Sequence, residues 1–255
     1  MIRIAALQMH PARLDTGTNL DRIESAARSA AQAGATLLVT PELGVNSYGG
    51  GRKILDLAEP SDGPIVNRLA KIARQTGVAT VASFAEKADD TVYNSAVYTD
   101  GTSTPSVYRK SHLYGEYERG LFSPAHPSTC LFTHRGMRVG MLICYDVEFP
   151  ENVRRLAVAG AEMVLVPTAT PKGSSGTFIA EKMIPVRAFE NQIFIAYANN
   201  TGRDSNFVYA GQSVIVAPDG ALLASAGSEE EILIADIDPV LYTRSQSANP
   251  YLSDL

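Results

Sequence analysis

The stretch TLLVT, Thr36 to Thr40, is an unbroken apolar run between threonines, as expected of a strand buried on both faces. It follows a strand-like start, IRIAALQM (residues 2–9), and NLDRIESAARSAAQAGA, where Leu20, Ile23, Ala27, Ala30 and Ala31 recur at helical spacing. Gly34 supplies the stop. The same order returns as PIVNRLAKIARQTG (helix) and VATVASFAEK (strand), then as MRVGMLIC (strand), PENVRRLAVAGA (a helix opened by Pro150) and EMVLVPTA (strand). A helix is expected over roughly 178–191, followed by strands in QIFIAYANN, QSVIVAPDGALLASAG and EILIADID. VYNSAVYTDGTSTPSVYRK reads as two strands joined by an Asp100-Gly101 turn. Alternating strands and helices mixed with hairpins predict an α/β chain with mixed sheets. Helices on either side of the strands suit an α-β-β-α sandwich of two sheets; periodicity alone leaves a doubly wound single sheet open. With no repeat, linker or composition break, residues 1–255 read as one domain, and 239–255 as a C-terminal surface or interface arm.

Composition narrows the function classes. Hydrophobic residues make up 45% and charged residues 19%, which suits an enzyme with a substantial core. A net charge of −5 argues against a nucleic-acid partner. No apolar run approaches membrane-spanning length, and no signal-like segment opens the chain, so a cytoplasmic protein is expected. The two cysteines, Cys130 and Cys144, are too few for a disulfide framework. None of the four histidines is spaced with a cysteine as metal ligands are, so neither a metal nor a cofactor is expected. His10, His126 and His134 sit in loop-like contexts. SYGGGRK lacks the pattern of a phosphate-binding loop, and its glycines are expected to shape a mobile loop at a pocket mouth.

Three strands end on residues able to do chemistry: Glu42 in LLVTPEL, Lys110 in VYRKSHL and Cys144 in MLICYD. In α/β folds such positions open onto a common crevice. A free thiol titrates near about 8.5 and a glutamate near about 4.3, a gap worth roughly 6 kcal/mol against proton transfer. Burial raises a glutamate, and an ammonium lowers a thiol, so Glu42 as base and Lys110 as neighbour are expected to activate Cys144. Lys110 and the N–H of Tyr145 are then placed to hold an oxyanion. Taken alone, a cysteine such as Cys144 is more often an inert buried thiol; for Glu42 a helix-capping acid is the lesser alternative, and Cys130 is most simply a core residue. Arg109 is the solvent-facing neighbour of Lys110, and Arg187 with Glu190 suits an ion pair on one helix face.

TPEL, YRKSHLY and ICYDVEFPE, in this order and each at a strand end, resemble the three signature segments of the nitrilase (carbon–nitrogen hydrolase) superfamily. PVRAFENQIFIAYANN and GQSVIVAPDG resemble its later segments, so the likeness runs from AALQM to ADID. The resemblance implies an α-β-β-α sandwich, a homodimer or higher homo-oligomer, and a cofactor-free Glu-Lys-Cys site. Glu42 is then the general base, Lys110 the oxyanion stabiliser and Cys144 the nucleophile. A second glutamate eight residues after the lysine falls on Glu118, in preference to Glu116, and holds Lys110. His112 supports the site. Tyr145, Tyr48, Thr168 and Ala169 are the candidates for oxyanion and substrate binding. The implied activity is hydrolysis of a small carboxylic amide to acid and ammonia through a cysteine thioester. Nitrile or N-carbamoyl hydrolysis, or a non-catalytic binding protein on the same fold, are the alternatives. Tyr145-Asp146, where true nitrilases have Trp-Glu, resembles the amidase-like branches. Val147 and Glu148 stand where several carboxylate-binding relatives carry arginine, which favours a neutral or amine-bearing substrate, although Arg203 or Lys172 remain available as loop cations.

Overall fold

The computed structural model describes residues 1–255. Its first half runs β1 (Ile2–Gln8), α1 (Thr16–Gln32), β2 (Leu37–Val39), α2 (Pro64–Thr76), β3 (Ala79–Ala88), β4 (Thr91–Thr99), β5 (Ser106–Arg109) and α3 (Gly115–Arg119). The second runs β6 (Leu131–His134), β7 (Met137–Met141), α4 (Pro150–Val158), β8 (Met163–Thr168), α5 (Ser174–Phe178), α6 (Ile184–Asn191), β9 (Phe194–Asn199), β10 (Val214–Val216), β11 (Leu222–Ser225), β12 (Glu231–Ile237) and α7 (Thr243–Ala248). Local signals set the helix ends. The Asp15 side chain accepts from the Thr18 N–H at 2.9 Å to open α1, and Pro64 opens α2. Gly77 closes α2 at φ 70°, a left-handed conformation that costs glycine little.

Two mixed six-stranded sheets result, in the orders β12-β1-β2-β3-β4-β5 and β11-β10-β9-β8-β7-β6. In the first, β2 lies parallel to β1 and β3; in the second, β8 lies parallel to β7 and β9. Ile4, Leu37, Val39 and Val81 of the first sheet share one buried cluster with Val139, Leu165 and Ile195 of the second, so the sheets pack face to face. Leu20, Ile23, Ile65, Leu69 and Ile72 of α1 and α2 cover the other face of the first sheet through Leu38, Ala82 and Phe84. Val153, Leu156, Ile184 and Ala188 of α4 and α6 pack with the second. This is the expected α-β-β-α sandwich, and TLLVT forms its doubly covered strand.

Some elements differ from expectation. The helix expected near Phe178 begins at Ser174 and passes through a π-helical turn, Ile179–Met183, before α6. Pro185, at the start of α6, has no N–H to give to the preceding turn, and the wider turn accommodates the gap. His134 is not in a loop. It ends β6, buried, with its ring 3.0 Å from the Thr36 hydroxyl and 3.2 Å from that of Tyr98. The short turn into β7 puts Arg135 and Gly136 both at positive φ, which lets so few residues reverse the chain. The glycine run is not a loose loop either. Tyr48–Leu57 forms 3-10 turns, and a Cβ on Gly49 would lie 1.9 Å from the Asp204 carboxylate. From Pro239 a 3-10 turn and α7 lie on the surface, held by Tyr242 edge-on to Phe194 and by Ser245 donating to Gln192.

Candidate active site

The carboxyl ends of β2, β5, β7 and β8 meet, and there Glu42, Lys110 and Cys144 converge with Ala169 and Thr170. Glu42, Lys110 and Glu118 are fully buried. The Lys110 ammonium donates to Glu42 Oε1 at 2.6 Å and to both oxygens of Glu118 at 2.7 and 2.8 Å. Glu118 also accepts from the Tyr48 hydroxyl at 2.7 Å and from the Tyr114 N–H at 2.8 Å, so it is fully partnered. Glu116, the alternative, has a side chain 97% exposed. Arg109 faces the other way and pairs with Glu86 at 2.6 Å, which leaves Lys110 inward.

Glu42 is held but not saturated. Asn94, buried on β4, donates to Oε1 at 2.7 Å, alongside Lys110. Glu42 Oε2 is buried without any hydrogen-bond partner. Burial pushes the Glu42 carboxyl up to about 7, against the pull of Lys110 and with the help of Glu118. Burial works against the charge of Lys110, but Glu118 and Glu42 outweigh it and hold its pKa well above the usual lysine value.

Cys144 departs from the sequence expectation in one respect. Its thiol is raised well above the ordinary value, by burial first and then by Glu42 and Glu118, with Lys110 and the Ala169 N–H pulling the other way. One ammonium sits between two carboxylates, so the cluster repels a thiolate instead of stabilising it. The resting residue is therefore the thiol, beside a base that burial has raised to about 7. Its backbone lies at φ 45°, a strained position on the turn Cys144–Glu148, which lifts the sulfur off the end of β7.

Asp146 locks that turn. Its Oδ1 accepts from the Ser111 hydroxyl at 2.8 Å and the His112 N–H at 2.8 Å, and its Oδ2 accepts from the Tyr108 hydroxyl at 2.9 Å. The strand end carrying Lys110 is thereby tied to the turn carrying Cys144. His112 stacks on Phe149 with centroids 3.9 Å apart, in keeping with support of the site. From α6, Arg187 donates to the carbonyls of Val147 at 3.0 Å and Glu148 at 2.7 Å while pairing with Glu190 at 3.0 Å. The expected helix pair thus also clamps the nucleophile turn.

A cavity of about 490 Å³ opens over Cys144 and is lined by Tyr48, Tyr114, Tyr145, Glu148, Ala169 and Thr170, with Lys172 and the start of α5 at its rim. Tyr48 and Ala169 therefore border it as the sequence suggested, though the Tyr48 hydroxyl is spent on Glu118. Thr168 does not line it. Its hydroxyl donates back to the Val166 carbonyl at 3.0 Å, and its carbonyl receives the Glu42 N–H at 3.2 Å, so it places the base from behind. Thr170, two residues past the end of β8, stands at the wall instead, its hydroxyl 3.9 Å from the Cys144 sulfur. Arg203 lines a separate cavity with His10 and Arg22.

The family model described as carbon-nitrogen hydrolase matches residues 3–245. The chain belongs to the carbon-nitrogen hydrolase family. The chain is 41% identical over 99% of its length to a Pseudomonas protegens protein named "Hydrolase in pqqF 5'region", covering 88% of that protein. It is 36% identical to an (R)-stereoselective amidase of Pseudomonas sp, over 99% of this chain and 91% of that one. Among solved structures, the amidase of Nesterenkonia sp. AN1 superposes over the whole chain. A cysteine-to-alanine mutant in complex with butyramide gives a TM-score of 0.89 at 35% identity and 94% coverage of that chain. A glutamate-to-leucine mutant, showing covalent addition of the acetamide moiety of fluoroacetamide at the active-site cysteine, gives 0.87 at 34% identity and 97% coverage.

Proposed function

We propose that this protein is an amidase that hydrolyses a small carboxylic amide to acid and ammonia through a thioester on Cys144. The observation that carries the reading is the unpartnered oxygen of the buried Glu42, beside a thiol that rests protonated. Glu42 Oε2 takes the Sγ proton as sulfur attacks the amide carbon. The oxyanion is held by Lys110 and by the Tyr145 N–H, which donates to no backbone carbonyl outside its own turn. Lys110 makes two bonds to the one Glu118 carboxylate, so one can be released to the oxyanion. Protonated Glu42 returns its proton to the leaving nitrogen, and ammonia departs. Water then gives a proton to Glu42 and attacks the thioester carbon. Collapse of that second intermediate releases the acid, and Cys144 recovers its proton from Glu42.

The Nesterenkonia amidase crystallised with butyramide supports an amide over a nitrile. So does Tyr145-Asp146 in place of Trp-Glu. The test is ammonia release from aliphatic amides as a function of pH. Glu42 must be ionised to accept the thiol proton, so kcat/KM is expected to fall as pH drops through about 7. A profile flat from pH 8 to 5, or release of ammonia from nitriles alone, contradicts the reading.

We propose further that the chain works as one domain and pairs as a homodimer through the arm 239–255. Val240 and Leu241 are each 73% exposed there, which supports burial against a second copy. Sedimentation equilibrium is expected to give a dimer that Val240→Glu with Leu241→Glu weakens; a monomeric wild type refutes it.

A further inference from the structure

One half-buried acid in the site has no partner. Glu86, Glu118 and Asp146 are all satisfied by hydrogen bonds, and Glu42 is bound through one oxygen. Glu148, four residues after the nucleophile, lines the cavity over Cys144, yet its carboxylate receives no hydrogen bond and forms no ion pair. Only its backbone is used, where its carbonyl accepts from Arg187 at 2.7 Å. Arg187 is turned to that carbonyl, to Val147 and to Glu190, so it does not reach the Glu148 carboxylate. Desolvation raises the Glu148 pKa, while Lys110 and Arg187 act from a distance to favour its ionised form. A desolvated carboxylate without a direct partner is a cost to the empty protein, and an incoming cation that hydrogen-bonds to it offsets that cost.

Resting on the amidase reading, we propose that Glu148 is a specificity residue that selects amides whose acyl group carries a protonated amine. An ammonium supplies both the charge and the hydrogen bonds that the Glu148 carboxylate lacks. Tyr114 and Tyr145, edge to face at 5.2 Å, line the same cavity and offer aromatic faces that favour a cation. The competing charge in the lining is Lys172, which would welcome a carboxylate instead. Lys172 is exposed and forms no ion pair with Glu148, so water screens it far more than the half-buried acid. The wall next to the nucleophile is therefore anionic and the solvated rim cationic.

The test compares amides matched in shape but not in charge: alaninamide against isobutyramide, 4-aminobutanamide against pentanamide, and glutaramate as the carboxylate analogue. A charge-assisted hydrogen bond corresponds to roughly 10- to 100-fold, so the wild type is expected to favour at least one ammonium-bearing amide over its neutral isostere by that factor in kcat/KM. In Glu148→Gln the ratio is expected to collapse towards unity. A wild-type ratio at or below unity in both pairs, a preference for glutaramate, or a ratio unchanged in Glu148→Gln overturns the proposal. Equal turnover within both pairs would leave the amidase reading intact and refute only the role of Glu148. If no amide releases ammonia, the amidase reading fails, and calorimetric binding of the same pairs to the Cys144→Ala protein still decides: tighter binding of an ammonium-bearing amide supports the proposal, and equal affinities refute it.

Discussion

Replacing Lys110 by methionine is expected to abolish amide hydrolysis and to cost on the order of 3–5 kcal/mol of stability, the usual result of removing one member of a buried charged cluster. Lys110 is fully buried, and its three bonds to Glu42 and Glu118 are what allow two carboxylates to share one dry space. Without the ammonium, the Glu42 carboxyl moves further above its present value of about 7 and is protonated at neutral pH, unable to accept a proton from Cys144. The sign of the pH effect follows. A carboxyl whose pKa is raised by folding binds more protons in the native state, so the lost stability is greatest at high pH and is partly recovered as pH falls through the raised pKa. Urea unfolding of the variant at pH 8 and pH 5.5, with ammonia release at both, checks this. A wild-type unfolding midpoint at pH 8 would show that the cluster does not depend on its cation.

Cys144→Ala is expected to keep the fold and lose at least about 10⁴-fold in turnover, because no other nucleophile takes over the covalent step. The substitution is mild structurally. Alanine meets the same strain at φ 45° as cysteine, and the sulfur's only side-chain neighbour within hydrogen-bonding reach is Thr170 at 3.9 Å. Thermal unfolding should therefore shift little while ammonia release disappears. Substantial residual turnover would mean that the thiol is not the nucleophile. Cys130 is no substitute: it sits away from the cavity, and burial raises its thiol to about 11.

Much of this was legible in the sequence because strand ends are legible. TLLVT, VYRK and MLIC each announce a strand and deliver Glu42, Lys110 and Cys144 to its end. Glu118 was reached through the family resemblance, which implies a second glutamate eight residues after the lysine, and geometry separates it from Glu116 by burial. What stayed hidden depends on distances between residues remote in the chain. Asn94, in VYNSAVY, looked like any polar residue on a strand, and only the packing of β4 beside β5 turns it towards Glu42. The direction of the thiol's pKa could not be read from Lys110 alone, since it depends on how many carboxylates share that ammonium. Thr168 and Thr170 differ in that the first still belongs to β8 while the second lies beyond its end, and the exact end of a strand is not legible in the sequence. The packing of Gly49 against Asp204 joins residues more than 150 positions apart, so a glycine run that suggested mobility is a tight contact.

The central claim is that an acyl group passes through the Cys144 sulfur. Acid-quenched mass spectrometry during turnover of a slowly deacylated amide tests it most directly. The expected result is a protein heavier by the acyl group less one hydrogen, with the increment on the peptide containing Cys144 and lost on treatment with hydroxylamine. Acid accumulating in the same samples with no adduct at all, or with the adduct on another residue, would contradict it.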